Sequence, residues 1–220
     1  VNWKSFCFLA VLVSLAMVFP PGLLADVPAV SFTGVTTNYT DGSWSLGFEF
    51  STNTAVNVTA LGFYDAAQTD GSVGLGTCSG CGEVGIYNST GTLLVSGQAT
   101  TSGTLVGDFY YVPVATTLLA AGQDYYAVAE TGNADYTYFT TGFGVDPNIN
   151  FIQDAFVSST TLAFPTSSDG YTAADGGAWF GANFEESGSS STTVPEPGSL
   201  SLLGSGLLAI VGMMRRRFAR

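Results

Sequence analysis

From Asp26 to Glu196 the chain carries seventeen acidic residues and not one Lys, Arg or His. The five basic residues are all outside that stretch, at Lys4, Arg215, Arg216, Arg217 and Arg220. Whatever the body folds into, it can form no side-chain salt bridge, clamp no phosphoryl group with arginine and use no histidine as base or ligand. A nucleophile activated by histidine is excluded in the body for the same reason. A phosphate backbone would be repelled, so nucleic acid is not a partner of this stretch. A length of 220 residues allows one ordinary domain with appendages.

The body reads as short strands separated by turn signals. Trp44, Leu46, Phe48 and Phe50 fall on one face of a period-two run, and Val56 to Ala60 alternates in the same way. Glu83–Tyr87 and Leu93–Ser96 read as a hairpin around Thr90-Gly91. Phe109–Val112, Tyr125–Glu130 and Ala178–Phe184 complete the set, and no segment offers an amphipathic helix. The expected fold is all-β, a sandwich of jelly-roll type over residues 26–184, followed by a Ser/Gly-rich linker at 185–193.

The two ends carry an address. Lys4, the apolar run Phe6 to Phe19, the break at Pro20-Pro21-Gly22 and then Ala25 have the layout of a secretory signal peptide over residues 1–25. An uncleaved anchor is the alternative. At the other end Val194-Pro195-Glu196-Pro197 precedes an uncharged stretch, Gly198 to Met214, which as a helix would cover about 25 Å, near the lower limit for a membrane span. Arg215, Arg216, Arg217 and Arg220 would hold that end on the cytoplasmic side. The prolines flanking Glu196 keep the motif extended and outside the helix.

This tripartite arrangement over residues 194–220 resembles the PEP-CTERM sorting signal. The resemblance implies an exosortase-like membrane protease as partner, in a Gram-negative bacterium that makes exopolysaccharide. It also implies passage through the inner membrane, processing near Pro195-Glu196-Pro197, and a final place at the cell surface or in the extracellular matrix. A plain C-terminal membrane anchor is the alternative. The body resembles, over about residues 40–135, a β-sandwich domain of unknown function common in PEP-CTERM proteins; the similarity lies in Gly47–Phe50, Ala60–Asp65, Val84–Asn88, Gly91–Leu94 and Leu119–Tyr126. That resemblance implies a fold and no site residues.

Within the body three chemistries can be weighed. Cys78 and Cys81 form a C-x-x-C motif, expected as a local disulfide in an oxidising compartment; a redox dithiol or half of a zinc site are the other readings. Acidic loop pairs, Asp65/Asp70, Asp135/Asp146 and above all Asp169/Asp175, raise Ca²⁺ as the one cofactor to consider, against a solvated acidic surface and no cofactor at all. Glu49, Glu83, Asp108 and Glu130 are the carboxylates in or beside strands that a glycoside hydrolase would need, but no motif supports catalysis. Tyr110, Tyr111, Tyr125 and Tyr126, with Tyr136 and Tyr138, are candidates for stacking on sugar rings, against plain packing in strands. The expectation is a non-catalytic surface or matrix protein associated with exopolysaccharide or biofilm, with a carbohydrate- or Ca²⁺-dependent binding module as the alternative.

Overall fold

The computed structural model describes residues 26–68, 73–177 and 179–187. The segments read as signal peptide and sorting signal lie outside these residues. The body is a two-sheet β-sandwich. One antiparallel sheet runs β1 (Asp26–Pro28), β14 (Ala182–Ser187), β5 (Val56–Tyr64), β9 (Phe109–Leu119) and β8 (Thr104–Val106). The other runs β13 (Ile149–Ser158), β4 (Trp44–Thr52), β10 (Asp124–Glu130), β6 (Glu83–Asn88) and β7 (Leu93–Gln98). Two ribbons complete it, β3 (Gly34–Tyr39) with β11 (Tyr136–Thr141) and β2 (Val30–Ser31) with β12 (Gly144–Val145). Connections repeatedly cross from one sheet to the other, as β4 to β5 and β9 to β10 do.

Alternation explains the layering. Phe48 and Phe50 of β4 point inward with Ile86 of β6 and Ala127 of β10, and meet Leu61 and Phe184 from the facing sheet. Phe50 and Phe184 stand 4.9 Å apart between ring centroids, and Phe48 stacks on Phe151 at 5.3 Å. With no ion pairs to form, this aromatic and aliphatic layer carries the stability, at roughly 25 cal/mol for each Å² of apolar surface removed from water.

The hairpin expected around Thr90-Gly91 is β6–β7. Asn88 Oδ1 accepts from the backbone nitrogens of Thr90 and Thr92 at 3.1 and 2.8 Å, and closes the turn. Cys78 and Cys81 lie at disulfide distance, in a loop packed against the core. Gly132, in the left-handed region at φ 54°, lets its backbone pass directly over the carbonyls of Ser79 and Gly80, where any Cβ would collide.

The end of the sandwich differs from the sequence reading. β14 runs to Ser187, so residues 185–187 of the expected linker are strand, with Glu185 opposite Ala60 and Glu186 opposite Val58. Glu186 is 1% exposed. Its carboxyl accepts from Asn148 Nδ2 at 2.8 Å and is pushed up to about 7 by burial, by its hydrogen bond with Asp146 and by the charge of Asp146. Because the folded value lies above that of an unfolded Glu, this contribution to stability is complete at low pH and is lost as pH rises through about 7. After allowance for solvent screening, unfolding free energy is expected to fall by about 1–2 kcal/mol between about pH 5 and pH 8. Glu186→Gln, which matches the protonated form, should flatten that slope and exceed the native protein in stability at the alkaline end. Urea titrations at several pH values check it, and parallel slopes for the two proteins would refute it.

Candidate functional site

A cleft of about 170 Å³ opens beside the end of β4, lined by Asp41, Trp44, Leu46, Tyr136, Phe156, Asp169 and Trp179. It is built from three stretches far apart in sequence. The first is the turn from β3 into β4, where Gly42 takes φ 68° and the Trp44 indole Nε1 donates to the Asp41 carbonyl at 2.8 Å. The second is the start of β11. Tyr136 pairs in register with Tyr39 of β3, the two rings stack 6.0 Å apart, and the Tyr136 hydroxyl donates to Asp41 Oδ1.

The third stretch is the long connection from β13 to β14. It is anchored by Asp154, fully buried in β13, whose carboxylate accepts from Ser168 Oγ at 3.1 Å, Asp169 N at 2.9 Å and Tyr171 N at 2.8 Å. Asp169, so placed, accepts from the Trp179 indole at 3.0 Å. Trp179 in turn stacks on Tyr138 at 4.1 Å and meets Tyr39 and Tyr136 edge-on at 5.5 and 5.8 Å. The neighbouring Phe180 bridges to Thr137 of β11, its amide donating to the Thr137 carbonyl at 3.0 Å, which ties Trp179 to the ribbon. Trp44 and Phe156, edge-to-face at 5.8 Å, form the opposite wall, with Leu46 beside them.

The electrostatics are those of neutral rings between acidic rims. Burial, and then its bond to Asp41, hold the Tyr136 phenol well above its ordinary value; Tyr138 is raised by burial and by its bond with Tyr171. Both phenols are therefore neutral hydrogen-bond groups rather than bases in ordinary conditions. Asp41 and Asp169 are exposed. The volume is below the roughly 300–1,000 Å³ of drug-sized pockets, and suits one ring of a longer chain seated on an open aromatic surface.

Of the residues singled out in the sequence, Tyr136 and Asp169 line this cleft and Tyr138 stacks on Trp179, while the other tyrosines fall elsewhere. Tyr111 and Tyr125, at 2% and 6% exposure, are buried, which removes them as stacking surfaces. Tyr125 packs on Phe50 in the sandwich core; Tyr111 lies on the opposite face of β9, over Gly62, with its hydroxyl toward Asn183. Tyr110 is half-buried, opposite Phe63 of β5 and Leu105 of β8. Tyr126 is half-buried under Phe164 at 5.0 Å and beside Glu49, and burial and that carboxylate push its phenol up to about 12. It lines a second cleft of about 190 Å³ with Gln153 and Phe164.

Asp169 and Asp175 do not converge. Asp175 Oδ2 accepts from the backbone nitrogen and hydroxyl of Thr172, both at 2.9 Å, while Asp169 serves Trp179. Those bonds from Thr172 hold the Asp175 carboxyl below its ordinary value. Among the described residues no three Asp, Glu, Cys or His side chains group to hold a metal ion. Asp65 is occupied by the backbone nitrogens of Ala67 and Leu75, at 3.2 and 3.0 Å, and Asp70 lies outside the described residues. Glu83 and Glu130 stand at neighbouring ends of β6 and β10, where burial and then Glu83 raise the Glu130 carboxyl; neither lines the clefts described above.

Asp41, Trp44 and Trp179 escaped the sequence reading as a site, and the sequence offers Asp169 only as a Ca²⁺ candidate. Trp44 and Trp179 read as strand residues, since alternation cannot tell the end of a buried face from the wall of a cleft. One signal was there. The chain has three tryptophans, and the two that lie in the body both line this cleft.

Comparison with known proteins assigns the other end of the chain. Residues 193–217 match the PEP-CTERM protein-sorting motif. The match covers Val194 to Pro197 and Arg215 to Arg217, leaving Arg220 just beyond it. The motif implies export and processing by an exosortase-like membrane enzyme. No curated protein and no solved structure matches the chain.

Proposed function

We propose that this chain, an exported protein by its PEP-CTERM sorting motif, works at the cell surface or in the extracellular matrix as a non-catalytic protein that holds exopolysaccharide. In this reading the signal peptide over residues 1–25 directs export, and the sorting signal is processed near Pro195-Glu196-Pro197. The sandwich is what remains outside the cell to act. The observation that carries the glycan reading is the cleft wall made by Trp179, Tyr136 and Trp44. Aromatic faces pack against the C–H faces of sugar rings, and the rim carboxylates of Asp41 and Asp169 accept from sugar hydroxyls. A non-catalytic role is supported by how the polar groups of the cleft are used: each rim carboxylate already accepts from a ring donor, and the phenols are held neutral.

Retention in gels containing the host's exopolysaccharide tests this. Trp179→Ala is expected to weaken retention by about tenfold, from the loss of one stacking face. Unchanged retention of that variant, with near-native circular dichroism, would overturn the reading. Treatment with EGTA is expected to leave retention unaltered, because Asp169 and Asp175 are engaged within their own loop. A loss of retention on chelation would favour a Ca²⁺-dependent module instead.

A further inference from the structure

We infer that the glycan seated in this cleft carries free protonated amines, as in a hexosamine chain that is at least partly without N-acetyl groups. The inference rests on the glycan reading above and narrows its ligand.

The first argument is the direction of the hydrogen bonds. The Trp44 indole donates to the Asp41 carbonyl, the Tyr136 hydroxyl to the Asp41 carboxylate and the Trp179 indole to the Asp169 carboxylate. Every polar hydrogen of the aromatic residues lining the cleft is thus spent on the cleft itself. What is left for a ligand is ring face and carboxylate oxygen, since a single ring donor engages each of Asp41 and Asp169 and both residues are exposed. The side chains of such a lining accept and do not donate. A uronate, sulfate or pyruvate group, which can only accept, finds no partner in it. An ammonium, which can only donate, finds two carboxylates and two indole faces.

The second argument is long-range. The body holds no Lys, Arg or His between Asp26 and Glu196, so there is no cation to neutralise an anionic polymer or to compete with a cationic one. Its field attracts a polyamine chain and repels a polyuronate, and does so more weakly as salt rises.

The experiment titrates the full-length protein, followed by tryptophan fluorescence, with three probes: a glucosamine hexamer, an N-acetylglucosamine hexamer and polygalacturonate. The glucosamine hexamer is expected to bind about tenfold more tightly than its acetylated counterpart, with polygalacturonate weakest. That advantage should shrink with added salt and as the amines lose their protons at higher pH. The double variant Asp41→Asn, Asp169→Asn should abolish the preference, bringing the glucosamine hexamer down to the affinity of its acetylated counterpart. Trp179→Ala should weaken both. Equal affinity for the two hexamers, or tighter binding of polygalacturonate, overturns the amine inference and leaves the glycan reading in place. Binding of the glucosamine hexamer that ignores Trp179→Ala also overturns it, since the attraction would then be to the acidic surface at large. Failure of all three probes overturns it too; the glycan reading falls with it only if Trp179→Ala also leaves retention on the native polysaccharide unchanged.

Discussion

Phe184→Ala is expected to lower the free energy of unfolding by about 3–5 kcal/mol, a large share of the roughly 5–15 kcal/mol that holds a domain folded. Phe184 is 0% exposed and sits in β14, between the edge strand β1 and β5, with its ring 4.9 Å from Phe50 and 6.4 Å from Phe48 of the facing sheet. Truncation removes apolar surface from the contact between the sheets and leaves a cavity that stiff neighbouring strands cannot fill. In a body without salt bridges nothing ionic offsets that loss. Phe184→Leu keeps more of the volume and should cost much less, about 1.5 kcal/mol or below. Urea unfolding followed by circular dichroism measures both. A cost under 1 kcal/mol for the alanine variant would mean that this ring does not join the two sheets.

Asp154→Ala should cost about 2–3 kcal/mol and abolish the aromatic cleft. The carboxylate holds the backbone nitrogens of Asp169 and Tyr171 and the hydroxyl of Ser168. Without it these donors lose their acceptor, and the segment that presents Asp169 to the Trp179 indole loses its anchor. Asparagine is a poor substitute. One of its two ends would bring an NH₂ against a backbone N–H, so Asp154→Asn should recover part of the stability and little of the binding. The distinguishing result is the pairing of effects: a binding loss as large as that of Trp179→Ala together with destabilisation, whereas Trp179→Ala affects binding with little change in folding. If Asp154→Ala binds polysaccharide normally, Asp154 does not position the cleft.

The strands that the sequence displayed are those with uninterrupted alternation against a single buried face. β4 is the clearest, with Phe48 and Phe50 inward and Glu49 outward, its carboxylate accepting from Gln153 Nε2 at 2.8 Å. β13 was missed despite ten residues of strand. A register shift between Phe151 and Gln153 breaks its period, so burial passes from the odd positions Ile149 and Phe151 to the even position of Asp154. The tyrosine pairs were legible as strand residues. Which member of each pair is buried was not, because a sandwich with loops packed on its outer faces buries rings on both sides. Tyr111 is covered on the outer face of its sheet and Tyr126 lies half-covered by Phe164.

What the sequence determined by itself was address and class. The sorting motif is a contiguous string read by position, and strand alternation with turn residues is a local property of neighbours along the chain. The absence of internal cations likewise needs no fold to exclude salt bridges and phosphate clamps. The cleft is a different kind of object. Asp41, Tyr136, Asp169 and Trp179 come together only because β3 pairs with β11 and because a buried Asp154 pins the connection that leads into β14. Contacts such as that of Tyr136 with Asp41, closed across more than ninety residues, leave no periodic trace in the chain, so the tertiary structure alone decided which aromatic rings line the cleft and which hold the sheets together.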